Sequence, residues 1–177
     1  YTSLIREVFE KTNDKEWLLS HLKSAIKEYE TVWMVEGKRL ANNGLNRYLA
    51  EGIGITPEAE EGHYDAILKP YADALNLTIN EFEKGYASGE IFNEDLDEYF
   101  VHDRTVRESG HDTSYRIEGN CADLNLVELN AMLYKYETDF AKLMKYVYNN
   151  ALKVLRIDSK VYSSAYWLDR ANYRKLM

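Results

Sequence analysis

Apolar residues recur along the chain at intervals of three and four, the repeat of a helix with one buried face. From Asp14, whose carboxylate suits an N-cap, Trp17, Leu18, His21, Leu22, Ala25, Ile26, Tyr29, Val32 and Trp33 form one such face. A second starts near Asp123 and passes through Leu126, Leu129, Leu133, Tyr136, Phe140, Leu143, Met144, Val147, Ala151, Val154 and Leu155. Val127, Ala131 and Tyr134 widen it, which predicts a helix buried on more than one side. A third helix is expected from near Asp158, carrying Val161, Ala165, Trp167 and Leu168. Shorter helices fit residues 2–11, 62–75, 78–87 and 94–103. The 78–87 helix opens on a capping box, Thr78 with Glu81; Gly85 weakens its second half and Gly89 is the expected stop. No period-two run of useful length occurs, so the expected fold class is all-α.

Two long stretches, 35–61 and 108–122, break the helical pattern. Loops of that size are uncommon in compact domains and are usually functional. Seven of the nine glycines, Gly37, Gly44, Gly52, Gly54, Gly62, Gly110 and Gly119, lie in or at the edge of them. A helical scaffold presenting long polar loops suits a pocket at one end of a barrel or bundle.

Composition narrows the possible ligands. A net charge of −8 argues against a nucleic-acid partner, whose phosphates demand lysine and arginine. No apolar run approaches the roughly 18 residues of a membrane span, so no membrane association is expected. The single cysteine, Cys121, excludes an internal disulfide and suits a reducing compartment. His21, His63, His102 and His111 lack zinc-type spacing. Asn93-x-Asp95-x-Asp97 has the start of a calcium loop, but Glu98 stands where the turn glycine belongs. Acidic residues at a helix N-terminus account for that run more simply. The chain opens on Tyr1 without a signal-peptide pattern, and its true N-terminus is expected further upstream.

The densest chemistry lies at 107–116, Arg-Glu-Ser-Gly-His-Asp-Thr-Ser-Tyr-Arg, where Asp112 follows a Gly-His step between Arg107 and Arg116. Such a segment offers one acid group with two guanidiniums to hold neighbouring hydroxyls. By spacing alone the run fits a salt-bridged surface at least as well, with Asp112 as an N-cap or a partner of Arg116. Glu58 sits beside Glu60 and Glu61, the pattern of an acidic solvated loop.

The run at 101–116, Val-His-Asp-Arg-Thr-Val-Arg-Glu-Ser-Gly-His-Asp-Thr-Ser-Tyr-Arg, resembles the catalytic-acid motif of the trehalases, a family of inverting glycoside hydrolases. Residues 121–137 resemble the helix that follows it. His111 stands where bacterial and animal members carry tryptophan, which is similar to the fungal cytosolic neutral group. Val32-Trp33-Met34, Arg47-Tyr48, Gly54 to Glu58 and Tyr166-Trp167 extend the resemblance over essentially the whole chain.

The resemblance implies an (α/α)6 barrel of twelve helices, of which residues 1–177 supply a central part, half or less, of the catalytic domain. It implies hydrolysis of trehalose to two glucose molecules in the cytoplasm, with Asp112 as general acid. Glu58, Arg107 and Gly110 match substrate-binding positions, and Glu108 and Arg116 are expected to support the site. No metal or cofactor is expected in this segment; calcium would enter through an N-terminal extension, which would also carry any regulatory partner. The general base, a glutamate, is expected beyond Met177. The segment is therefore expected to pair with the remainder of the catalytic domain and to be inactive alone. Two alternatives stand beside this: a non-catalytic helical binding module, and an (α/α)6 glycosidase acting on another disaccharide.

Overall fold

A computed structural model describes residues 1–57, 59–111, 115–117, 119–148 and 154–177. Residues 1–47 together with 125–177 form one compact unit, and residues 48–124 form a second.

In the first unit, helix α1 (Thr2–Thr12) ends on the left-handed Asn13. Asp14 then caps α2 (Lys15–Glu28) by accepting from the amides of Glu16 and Trp17, satisfying donors that the first helical turn leaves orphaned. The helix continues into a π-helical turn, Tyr29–Trp33, closed by the Met34 amide on the Tyr29 carbonyl at 3.1 Å. Leu18, Leu22, Ala25, Ile26 and Tyr29 are fully buried, so the predicted face is the packed one. They meet Ile5 and Phe9 of α1 and the buried face of helix α6 (Val127–Tyr148), which carries Leu129, Leu133, Phe140, Leu143 and Met144.

Helix α6 departs from expectation at its start, on its flank and at its end, where Val154 is irregular and Leu155 lies in a strand. Cys121–Asp123 form a 3-10 turn and Leu124 is extended, so Asp123 does not open the helix. Val127 is 83% exposed and Ala131 is exposed too, so the buried face is not widened there. Glu137 and Asp139 are buried on α6 instead. Ala151 lies outside the described residues.

The helix expected from Asp158 is also corrected. Strands β1 (Leu155–Ile157) and β2 (Lys160–Tyr162) form an antiparallel hairpin pairing Leu155 with Tyr162 and Ile157 with Lys160. Asp158 occupies the turn at φ 53°, a left-handed conformation that aspartate tolerates. Helix α7 (Ser164–Leu176) starts later, with Ser163 accepting from the Tyr166 amide. Its Trp167 and Ala171 pack on α6.

The second unit contains α3 (Asp65–Ala74), α4 (Ile79–Ser88) and α5 (Glu94–Ser109) around Tyr64, Leu68, Ala72, Phe82, Tyr86, Leu96 and Phe100. The Thr78–Glu81 capping box forms as expected, and left-handed Gly89 ends α4. Gly85 lets Ile91 pack close: a Cβ there would meet Ile91 Cδ1 at 2.7 Å, and that side chain would have to shift. Helix α5 runs six residues beyond the expected end at 103. Thr105 and Val106 are buried, and Gly110, at φ 73°, terminates the helix.

The buried and exposed faces of α6 make a direct test. Leu133→Ala is expected to cost about 2–5 kcal/mol in urea unfolding, and Val127→Ala less than about 0.5 kcal/mol.

Candidate functional site

The last two turns of α5 carry Asp103, Arg104, Arg107 and Glu108, two pairs one turn apart. Oδ2 of Asp103 accepts three hydrogen bonds, from Thr56 Oγ1 at 3.0 Å, Tyr64 Oη at 2.6 Å and Arg107 Nε at 3.1 Å. Burial works to raise this carboxyl, but the bonds from Tyr64, Arg107 and Thr56 outweigh it and hold it below the usual carboxylate range. Burial and the same carboxylate push the Tyr64 phenol up. The bond to Asp103 likewise raises the Arg107 guanidinium. Nη2 of Arg107 donates to Tyr64 Oη and meets His63 Nε2, both at 3.2 Å. Arginine has only donors, so that histidine nitrogen is the acceptor.

Alongside, the loop from Leu49 to Gly54 lies along α5. Arg104 Nη2 donates to the Gly52 carbonyl at 2.6 Å and Nη1 donates to that of Gly54. Thr105 Oγ1 accepts from the Ala50 amide at 3.3 Å, and Glu108 Oε2 accepts from the Leu49 amide at 2.8 Å. Gly52 permits this approach: at φ 149°, a Cβ would sit 3.1 Å from Arg104 Nε. Loop and helix enclose a cleft of about 610 Å3 whose lining includes Ile53, Thr56, Pro57, Arg104, Arg107 and Glu108.

Of the residues expected at the site, Arg107 and Glu108 share this cleft, on the last turn of α5 rather than in a loop. Glu108 also anchors the loop backbone. Gly110 is the helix C-cap, its amide bonded to the Arg107 carbonyl at 3.1 Å, and among the described residues nothing lies within 4 Å of where a Cβ would project. Arg116 is exposed, in the 115–117 segment. Asp112 and Glu58 lie outside the described residues. Asp103, Thr56, Tyr64 and Arg104 are additions. The signal for the first was its spacing of four from Arg107, which reads as a pair only if the helix continues past residue 103.

A second polar cluster lies inside the first unit. Arg174, 6% exposed, donates to Asn46 Oδ1 and Asn130 Oδ1 at 2.8 Å and to Glu137 Oε1 at 3.0 Å. Tyr29 Oη donates to the same glutamate oxygen at 2.5 Å, and burial, followed by the charge of Glu137, raises its phenol. Asn46 donates to the Trp33 carbonyl through Nδ2 and to Asn130 Oδ1 through its amide. Arg47, the next residue, is held by the Lys38 carbonyl at 2.8 Å.

A model of the trehalase family matches residues 1–177. The chain belongs to the trehalase family. It is 44% identical to the cytosolic neutral trehalase of Neurospora crassa over 187 aligned positions, covering 99% of this chain and 25% of that protein. Against the cytosolic neutral trehalase of Kluyveromyces lactis it is 51% identical over 123 positions, 70% of this chain and 16% of the relative. The chain thus spans about a quarter or less of these curated relatives. Among solved structures, neutral trehalase Nth1 from Saccharomyces cerevisiae superposes with a TM-score of 0.90 at 41% identity, over 99% of this chain and 33% of that one. The fold class is accordingly an all-α segment of the (α/α)6 barrel, with one short hairpin among the described residues. Among the described residues no helix is long and apolar enough to cross a membrane, and no group of three His, Cys, Asp or Glu side chains is placed to hold a metal ion.

Asp103 sets a pH test. A carboxyl depressed on folding contributes stability that is fully present above its unfolded value of about 3.9 and is lost as pH falls through the lower folded value. Asp103→Asn is therefore expected to flatten the acid limb of unfolding midpoint against pH, with the largest loss of stability near neutrality.

Proposed function

We propose that residues 1–177 are part of the catalytic domain of a cytoplasmic α,α-trehalase, which hydrolyses trehalose to two glucose molecules with inversion. One observation carries this reading beyond the family match. Arg107 and Glu108 line a common cleft on the turn of α5 that leads directly into Gly110, His111 and Asp112.

In the proposed reaction, Asp112 is the general acid that protonates the oxygen joining the two sugars. Arg107 offers donors in a rigid fork to the hydroxyls beside that oxygen. Gly110 leaves the backbone before the acid without a side chain, and Glu58, two residues after the Asp103-bound Thr56, bridges a pair of hydroxyls. Glu108 and Arg116 support the acid from either side. Inversion needs a second carboxyl on the opposite face of the ring, about 6.5–9.5 Å from the first, with room for the attacking water. We assign that base to the remainder of the catalytic domain, the proposed partner of this segment. Without it residues 1–177 bind or position substrate but do not turn it over.

The test is glucose release from trehalose by a full-length chain carrying residues 1–177. Asp112→Asn is expected to lower kcat by at least about 10²–10⁴-fold with an unchanged circular dichroism spectrum. Early proton NMR spectra of the wild-type reaction should contain α- and β-glucose in equal amounts. Inversion turns over only the attacked anomeric centre, whereas the departing glucose keeps its own. Undiminished activity in Asp112→Asn would sink the acid assignment. A wild-type protein inert towards trehalose would point to another disaccharide or a binding role.

A further inference from the structure

We propose that Asp103 is the positioning residue of this site, holding both the Arg107 guanidinium and the loop segment that leads into Glu58. This rests on the reading of Arg107 as a substrate-contacting group. Asp103 is not part of the cleft lining, so any effect on substrate passes through its partners. Its three donors come from separate parts of the chain: Thr56 in the loop, Tyr64 immediately before α3, and Arg107 one turn further along α5. Tyr64 closes the arrangement, since its hydroxyl donates to Asp103 and accepts from Arg107 Nη2.

The geometry of a guanidinium makes this decisive. Its five N–H groups lie in one plane with fixed angles. Asp103 takes Nε–H, and Tyr64 and His63 take the two hydrogens of Nη2. With those two nitrogens placed, the direction of Nη1 follows, and among the described residues Nη1 meets no acceptor. Thr56, 4% exposed, ties the backbone before Glu58 to the same carboxylate oxygen. Arg107 and Thr56, 51 positions apart in the chain, are thus referenced to one anion.

The experiment is a double-mutant cycle in the full-length chain, reading kcat/KM for trehalose. Asp103→Asn is expected to lower it about 10- to 100-fold alone, and at least about threefold less than that in an Arg107→Ala background, where only its hold on Thr56 and Tyr64 remains to be lost. Asp97→Asn removes a carboxylate that accepts from Tyr86 Oη at 2.5 Å on the same helix, and its effect should simply multiply with that of Arg107→Ala. If Asp103→Asn fails to fold, Tyr64→Phe serves, with a smaller loss of the same non-additive kind. Phenylglyoxal labelling read by peptide mass spectrometry needs no activity. Asp103→Asn or Tyr64→Phe should raise the labelling rate of Arg107 several-fold while exposed Arg156 is unchanged. Wild-type kcat/KM in Asp103→Asn, full multiplicativity with Arg107→Ala, or unchanged Arg107 labelling would each overturn the proposal. A wild-type chain inert towards trehalose would overturn the functional reading instead, and the labelling would still decide the role of Asp103.

Discussion

Buried peptide groups must find hydrogen-bond partners, and between Trp33 and Tyr64 this chain has almost no regular structure to supply them. Side chains on the helices take over that task. Within the first unit, Asn46 copies a strand neighbour: its amide and carbonyl both engage Asn130 of α6, while its side chain reaches the Trp33 and Arg39 carbonyls. Arg174 of α7 anchors the pair of asparagines from the side. Its charge is matched by Glu137, and the two ions are only 6% and 0% exposed. Removing either partner would strand the other in a medium that solvates it poorly.

Within the second unit α5 does the same work with different chemistry. Arg104, Thr105 and Glu108 take up loop carbonyls and amides, and Asp103 takes up the hydroxyl of Thr56. One helical surface therefore holds the loop and lines the cleft beside it. Four of its eight charged side chains, Asp103, Arg104, Arg107 and Glu108, are committed to neighbours on this surface, which helps so hydrophilic a helix stay folded against an irregular loop. This coupling also constrains exchange: a lysine at position 107 would keep the charge and lose the planar fork that Asp103 and Tyr64 grip.

Much of the helical frame was legible in the chain itself. Asp14 and Thr78 announce helix starts through local chemistry, and Leu129, Leu133, Phe140 and Leu143 keep a helical spacing because all four face the core. The hairpin at 155–162 was hidden because strands of three residues are too short to display alternation. The final turns of α5 were hidden because their buried residues include Thr105 and His102, which no apolar periodicity reveals. Glu137 and Asp139 were missed for the opposite reason, being charged groups on an otherwise apolar face whose burial depends on partners far away in sequence. Of the site, Arg107, Glu108 and Gly110 came through resemblance to a family motif. For Asp103 the spacing of four marks Arg107 alone, and nothing in the sequence marks Thr56 and Tyr64, 47 and 39 positions away, as its other donors.

The π-helical turn at Tyr29–Trp33 fits one residue more into that turn than regular α-helical winding would. A residue added to a regular helix either rotates everything beyond it by about 100° about the axis or is taken up in such a wide turn. Here it is taken up, so Trp33 keeps the side from which its carbonyl accepts from Asn46 and its ring faces Arg39 at 5.7 Å. Insertions and deletions are ordinarily tolerated in loops and punished in helices. At this turn a one-residue deletion would let the helix wind regularly with Trp33 still on nearly the same side, so the length of the chain can change here without turning the buried face.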